Sequence, residues 1–520
     1  MPICNLSGTS CGRWSSWMCK DKELPPVLII ASISILGTCL LVWVSKTARG
    51  KAQLPPGPRG FPILGYLPFL GPNLHQLFME LAQNYGPIYK LSIGQKLCVI
   101  ISSPTLVKEI VRHQDVTFAN RNPTIAAKTF SYGGKDIAFA PYGPEWRLLR
   151  KVFVREMQSN ANLDAFYSLR RSKVKKSVRD VYGKKIGEPV DVGELAFLTV
   201  INMISGMFSG GNLGQEGEID IGAKFRVAVA ELVEILGKPN VSDFFPFLAR
   251  FDIQGVKRKM EEVSQRIEKI YDHVIDQCIK KKQQQSGEMG EITDRKDFLH
   301  FLLEFKEQDT EKSISRQQIK ALLMDIVIGG IDTSPTTVEW AMAEMMLHPQ
   351  VMKKAQEELT NVVGINNLVE EFHIQELPYL HSIVKETLRL HPVAPLLLPR
   401  CPTESCNVGG YIIPKGTKVF LNVWAMHRDP EFWDYPQSSN QRGSLVLYLP
   451  FGSGRRICVG LPLGERMVMY LLATFLHMFN WKLPGGANPD TSEKLGIVLE
   501  KSTPLVIIPT PRLFNLELYT

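Results

Sequence analysis

The most constraining stretch of this chain is Phe451-Gly452-Ser453-Gly454-Arg455-Arg456-Ile457-Cys458-Val459-Gly460. Gly452, Gly454 and Gly460 permit positive φ and let the backbone pass close to a flat ligand. From Leu461 onward, Leu463, Met467, Tyr470, Leu471 and Phe475 recur at helical spacing and predict a buried helix. Cys458 therefore lies just ahead of a helix N-terminus, where free N–H groups and the helix dipole favour a thiolate. Arg456 brings a cation to the same neighbourhood and is equally suited to an anion. A thiolate held this way is a metal ligand or a nucleophile. A lone cysteine is more often simply buried, so the choice rests on the remainder of the chain.

That remainder reads as a packed globular protein. Hydrophobic residues make up 44% and charged residues 22% of its 520 positions. The net charge of +8 raises nucleic acid as a partner. No Lys/Arg run is interleaved with aromatics, and Lys280-Lys281-Lys282 is short and leads into glutamines. The charge instead reads as a solvated surface with a patch for an acidic partner or anionic lipid. The nine cysteines are irregularly spaced and form no Cys-x-x-Cys pair, which implies neither a disulfide framework nor a zinc site.

Four segments are expected. Residues 1–26 form a short polar tail. Residues 27–44 carry no charge and make a helix of about 27 Å, close to the thickness of a bilayer core. Lys46, Arg49 and Lys51 follow in place of a small-residue cleavage site, so the span reads as an uncleaved anchor. Residues 45–65 form a basic, proline-rich hinge, since Leu54-Pro55-Pro56-Gly57-Pro58 can be neither helix nor central strand. Residues 66–520 form the folded body.

Within the body, Lys90 to Ser102 predicts strand with a turn at Gly94-Gln95, and Pro104 to His113 a helix. The irregular stretch from Thr117 to Ala140 carries Phe118, Phe130, Tyr132 and Phe139, too many aromatics for full exposure. A helix opens at Pro144 and puts Trp146 and Arg150, four apart, on one face. Further helices are expected over 195–208, 221–236 and 256–282. Ser315 and Gln318 form a capping box for a helix running from Ile319 to Met346. Its centre, Gly329-Gly330-Ile331-Asp332-Thr333-Ser334, is poorly helical. A distortion there frees carbonyls and makes room for a small ligand. Pro335 adds a kink that costs about 3 kcal/mol in a helix interior. Helices over Gln350–Val363, closed by Gly364, and over Tyr379–Leu390 follow; Glu386 and Arg389 are three apart on the second and can pair. Gly410 to Val423 reads as a hairpin.

The stretch around Cys458 matches Phe-x-x-Gly-x-Arg-x-Cys-x-Gly, and the chain resembles the cytochromes P450, most of all the plant microsomal forms. Gly-Gly-Ile-Asp-Thr-Ser at 329–334, Trp146-x-x-x-Arg150 and Glu386-x-x-Arg389 are similar to further motifs of that family, and the likeness extends from Pro55 to Leu513. The resemblance implies a mainly α fold with small β-sheets, preceded by a single N-terminal transmembrane helix. It implies haem b with Cys458 as the axial thiolate, held by Trp146, Arg150, Arg400, Phe451 and Arg456. Asp332 and Thr333 would relay protons to bound dioxygen, and Glu386 with Arg389 would be a buried structural pair. His391 to Arg400 would be a strand lining the substrate pocket.

The implied reaction inserts one oxygen atom of O2 into a small lipophilic compound: a terpenoid, phenolic or fatty molecule. No Gly-x-Gly-x-x-Gly occurs, so electrons are expected from a separate NADPH–cytochrome P450 reductase docking near Cys458. The implied location is the endoplasmic reticulum membrane, in contact with lipid, with the body in the cytosol and no role for nucleic acid. One departure stands out. The family places a Pro-x-Arg segment before the cysteine signature, whereas here Trp433 to Gln437 passes directly to Ser438-Ser439-Asn440-Gln441-Arg442. Either Arg442 substitutes imperfectly or a coding segment is missing. Two alternatives follow: an impaired or non-catalytic membrane haem protein, and a haem-thiolate isomerase or dehydratase.

Overall fold

First-turn prolines and hydroxyl caps set most of the helix boundaries. The computed structural model describes residues 53–209, 219–285, 298–305, 313–433, 448–486 and 488–520. The expected anchor at 27–44 and the junction containing Arg442 lie outside the described residues. Among the described residues, no helix is long and apolar enough to cross a membrane.

The longer helices are α1 (Leu74–Tyr85), α2 (Pro144–Met157), α3 (Tyr167–Lys185), α4 (Val192–Ser209), α5 (Ile219–Gly237), α6 (Val256–Gln285), α7 (Arg316–Ile331), α8 (Thr333–Leu347), α9 (Pro349–Val363), α10 (Pro378–Leu390) and α11 (Leu461–Met478). Proline occupies the first turn of α2, α9, α10 and α11, where its missing N–H is an orphan in any case. The capping box of α7 forms as its sequence requires, with Ser315 and Gln318 each accepting from the other's backbone. Gly364 closes α9 at φ 82°.

The helix expected over Ile319–Met346 is two helices with a break at Asp332. The break settles Pro335. It becomes the third residue of α8, within the first turn, so the interior penalty does not apply. Most of α8 is buried, including Trp340, whose indole donates to the Leu499 carbonyl at 3.0 Å.

The strands are β1 (Ile88–Ile93), β2 (Lys96–Ile101), β3 (Val190–Asp191), β4 (Cys406–Val408), β5 (Tyr411–Ile413), β6 (Lys418–Leu421), β7 (Phe479–Lys482), β8 (Glu493–Leu495), β9 (Leu499–Lys501) and β10 (Val506–Pro511). They form two three-stranded sheets, β1-β2-β6 and β3-β10-β7, and the hairpins β4-β5 and β8-β9. β1 and β2 turn at Gly94-Gln95 as expected. Two expectations are corrected. Gly410–Val423 is not a hairpin: Tyr411–Ile413 pairs back to Cys406–Val408, while Lys418–Leu421 pairs in parallel with β2. His391–Arg400 is not a strand, because Pro392, Pro395 and Pro399 remove ladder donors; only Arg400 makes a bridge, to Val419.

The start of the proline-rich segment is fastened to the body. Pro56 accepts from the Lys90 N–H at 2.8 Å, and Gln53 from Ile412 at 2.9 Å. A Cβ at Gly57 would lie 1.9 Å from the Lys90 carbonyl, so only glycine fits there.

Glu386 and Arg389 form a two-pronged pair, both contacts at 2.8 Å. Arg389 also donates to the His427 carbonyl at 2.7 Å and lies 4.9 Å from the Trp433 ring. The Arg389 side chain is 1% exposed. Replacing Glu386 with alanine leaves that cation without its carboxylate, so Glu386→Ala should cost about 3 kcal/mol, read as a lower urea midpoint at unchanged slope.

Candidate functional site

The loop before α11 is built around positions that tolerate no side chain. Gly452 and Gly454 have φ of 71° and 72°. A Cβ on Gly454 would lie 2.6 Å from an Asp115 oxygen and 2.9 Å from the Val111 carbonyl. Asp115 fixes the turn further by accepting from the Arg455 N–H at 3.0 Å. The loop then returns on itself, with the Cys458 N–H donating to the Phe451 carbonyl at 2.9 Å. Phe451 is half-buried against the main apolar core.

Cys458 is therefore presented at the mouth of α11. The N–H groups of Gly460 and Leu461 hydrogen-bond toward its sulfur, and the Arg150 cation lies near. It is the one exposed side chain among the five described cysteines. Burial nevertheless pushes its thiol up, against the lowering effect of the Gly460 N–H, Arg150 and the Leu461 N–H. The sulfur is thus accessible on one side yet closely enough surrounded by protein to be desolvated. Without a further positive charge it stays a thiol; a metal cation would hold it as thiolate.

Four arginines converge on this region. Arg456 donates from all three of its nitrogens to loop carbonyls: Ala119 at 2.6 Å, Ile137 at 2.9 Å and Ala140 at 2.6 Å. Trp146, buried on α2, donates to the same Ile137 carbonyl at 2.9 Å and packs under the Arg456 guanidinium at 4.3 Å. Arg150, one turn on, donates to the Ile457 carbonyl at 2.7 Å. Arg400 donates to Ser453 at 2.7 Å. Arg121, which no motif singled out, reaches the Pro399 carbonyl at 2.9 Å.

Burial and mutual repulsion lower these cations. Arg456 falls to about 10, chiefly by burial. Arg121 falls well below its usual range by burial and then by Arg456 and Arg400. Arg121 Nε has no hydrogen-bond partner although buried, and Arg400 Nη1 has only the Asp115 carboxylate, 3.5 Å away. Clustered, desolvated guanidiniums with unspent donors call for an anion.

The break at Asp332 supplies the other wall. The Thr333 hydroxyl donates to the Gly329 carbonyl at 2.7 Å, satisfying one carbonyl the break frees. A side chain built on Gly329 would meet nothing within 4 Å, so this helix face borders open space. Gly330 instead lies against Ile204 of α4, 2.4 Å from where its Cβ would stand. Asp332 is pushed up to about 6, by burial and then by Glu500 of β9. The α8 and α11 helices meet here, with Gly464 facing the Ser334 hydroxyl.

These features fit a haem group: a cysteine sulfur backed by N–H donors, open space beside glycines, and a cationic rim suited to two carboxylates. Arg121 Nε has no hydrogen-bond partner, Arg400 Nη1 lies 3.5 Å from an Asp115 oxygen, and Arg456 keeps N–H groups beyond its three carbonyl contacts. Arg456 and Trp146 also order the loop from Ala119 to Ala140.

A second acidic feature ties that loop to α7. Asp325 accepts from the Ile137 N–H at 2.6 Å, and Asp136 from the Phe139 N–H at 3.1 Å. The two carboxyls touch, and Asp136 is fully buried. Burial pushes Asp136 up to about 6. Asp325 is raised well above the carboxylate range, by burial and then by Asp136. Two such groups hold one proton between them.

A family model described as cytochrome P450 matches residues 55–508. The chain is 38% identical to flavonoid 3'-monooxygenase of Petunia hybrida, over 94% of this chain and 98% of that protein. It is 38% identical to 3,9-dihydroxypterocarpan 6A-monooxygenase of Glycine max, with the same coverage. It is 36% identical to carnosic acid synthase of Salvia pomifera, over 93% of this chain and 99% of that protein. Among solved structures it is similar to a zebra fish cytochrome P450 with progesterone: TM-score 0.69, 25% identity, 85% of this chain and 100% of that one.

The acid pair makes stability depend on pH. Asp136 is raised from 3.8 to about 6, so the folded state binds more protons than the unfolded state in that window. Stability therefore falls as pH rises through the window. Asp325→Asn keeps the acceptor for Ile137 and removes the shared proton. Because Asp325 is the more strongly raised of the two acids, the variant should lose less stability than the parent as pH rises from about 4 to about 7.5, read as the urea midpoint across that range.

Proposed function

The chain belongs to the cytochrome P450 family and is a haem-thiolate monooxygenase. On that premise we propose that Cys458 is the iron ligand, and the observation that carries this is an accessible sulfur, desolvated by its surroundings, with two backbone N–H groups behind it. Bound haem supplies the binding and reduction of O2, from which one oxygen atom enters the substrate and the other leaves as water. Every other task falls to side chains of this chain.

Arg121, Arg150 and Arg400 balance the carboxylates of the group, while Arg456, Trp146 and Phe451 fix the loops on either side of it. Asp332 passes protons inward from solvent. Its value near 6 lets it exchange protons readily at neutral pH. The Thr333 hydroxyl, on the carbonyl freed at the helix break, orders the last donor of that path. Glu386 and Arg389 hold the underlying α10 in place.

The substrate is a small lipophilic compound. Two relatives are named for acting on a flavonoid and a dihydroxypterocarpan and a third for making carnosic acid, which favours an aromatic or terpenoid skeleton. Electrons come from a separate NADPH–cytochrome P450 reductase. Its docking surface is the face around Arg147, Arg155 and Arg455, which carries exposed cations close to Cys458.

The body sits on the endoplasmic reticulum membrane, with residues 27–44 as the anchor, 1–26 on the lumenal side, 45–65 as the hinge and 66–520 as the catalytic domain. Two apolar stretches support a lipid-facing side. Phe61, Ile63, Leu64 and Phe69 are exposed, as are Phe247, Phe251 and Ile253. The stretches meet at the β1–β2 turn, where Gly94 donates to Leu64 and Gln95 to Phe244, both at 3.0 Å.

Incubation with 18O2, NADPH, reductase and a flavonoid or terpenoid panel should place one heavy oxygen atom in a product. Product formed without reductase, or carrying oxygen from water, would favour the isomerase or dehydratase reading. Asp332→Asn should leave the haem spectrum intact and lower turnover about 10- to 100-fold. It should also remove the fall in rate that the parent shows as pH rises past about 6.

A further inference from the structure

A groove of about 320 Å³ opens between β2, the loop before Ile125, the turn at Ser242–Ala249, and Gly416. Lys96, Lys128 and Lys418 line it, together with Asp243 and Ser242. The lysines come from three separate parts of the chain, so the fold, not a local charge run, gathers them. All three act on the Asp243 carboxylate, which is already engaged by the Ile125 N–H at 2.8 Å. Among the described residues, none of the three ammonium groups has an ion-pair or hydrogen-bond partner. The Ser242 hydroxyl also lacks a partner, although the residue is 2% exposed.

Three cations, one spent carboxylate and an unused hydroxyl make a receptor for an anionic, oxygen-rich group. What lies beside the groove selects the kind of molecule. Phe247, Phe251 and Ile253 are 56%, 59% and 60% exposed, on the same turn that supplies Pro246 and Ala249 to the groove wall. An isolated inorganic anion has no use for that apolar rim. A molecule with a charged head and an apolar tail satisfies both at once.

We propose that the groove binds the headgroup of an anionic phospholipid, its phosphate among Lys96, Lys128 and Lys418, with the acyl chains directed along the exposed aromatic turn. The proposal rests on the reading that this face meets the membrane. It adds a lipid-selective contact that fixes how the body is rotated on the surface.

The test uses the full-length holoprotein in nanodiscs of phosphatidylcholine alone or with phosphatidylserine. Acetylation by a water-soluble reagent reports the lysines, and hydroxyl-radical oxidation reports Phe247 and Phe251. Modification of Lys96, Lys128 and Lys418 should fall by about fivefold on adding phosphatidylserine, the enrichment one lysine gains beside an anionic surface. Lys184 and Lys353, exposed elsewhere, should not change. Replacing all three groove lysines with glutamine should leave the carbon monoxide spectrum unchanged and abolish any extra aromatic protection that phosphatidylserine gives.

Aromatics protected in both disc types, with groove lysines equally reactive in both, would overturn the lipid site and leave the membrane face standing. Aromatics open in both disc types would overturn the membrane face itself. Equal protection of the lysines by inorganic phosphate without anionic lipid would mark a free-anion site and overturn the proposal.

Discussion

The fold depends on holding one sulfur inside the protein without neutralising it by packing. The turn from Phe451 to Gly460 does this with its backbone and one carboxylate. Two left-handed glycines fold it back, Asp115 accepts the Arg455 N–H, and the start of α11 aims further N–H groups at Cys458. A thiol in so desolvated a place is held up, not down, until a cation arrives. The same surroundings gather four guanidiniums, with a buried donor left over on Arg121 and a single carboxylate, Asp115, beside Arg400. Cysteine and arginines are thus complementary demands, one for a metal and the other for carboxylates, and haem meets both.

The opposite wall answers a different constraint. An uninterrupted helix through residues 316–347 would tie up every carbonyl near the site. Gly329 and Gly330 weaken it, the helix is interrupted at Asp332, and Pro335 falls where a new helix begins. The cost of the break is reduced by the Thr333 hydroxyl, which takes over the Gly329 carbonyl. A buried acid near 6 and a hydroxyl one residue later are what a proton path needs.

Much of this was legible in the sequence because it is local. First-turn prolines, the Ser315–Gln318 box and Gly364 act within a few residues of themselves, and their helices appear where expected. The distorted helix centre was legible for the same reason. Non-local pairing was not. Lys418–Leu421 joins β2, more than three hundred residues earlier in the chain, and nothing within Gly410–Val423 announces that partner. His391–Arg400 was read as strand by resemblance, but its three prolines rule it out. Arg121 belongs to no motif and gains meaning only when the fold sets it beside Arg400 and Arg456. A basic residue in an aromatic-rich loop was the only signal available. The Asp136–Asp325 contact likewise joins residues that sequence spacing does not relate.

The account stands or falls on the bond between Cys458 and haem iron. The carbon monoxide difference spectrum of the reduced, purified protein measures it directly. The parent should show the red-shifted Soret band of a thiolate-bound haem, and Cys458→Ser should lose it. A serine variant that kept both that band and its hydroxylating activity would contradict the central claim.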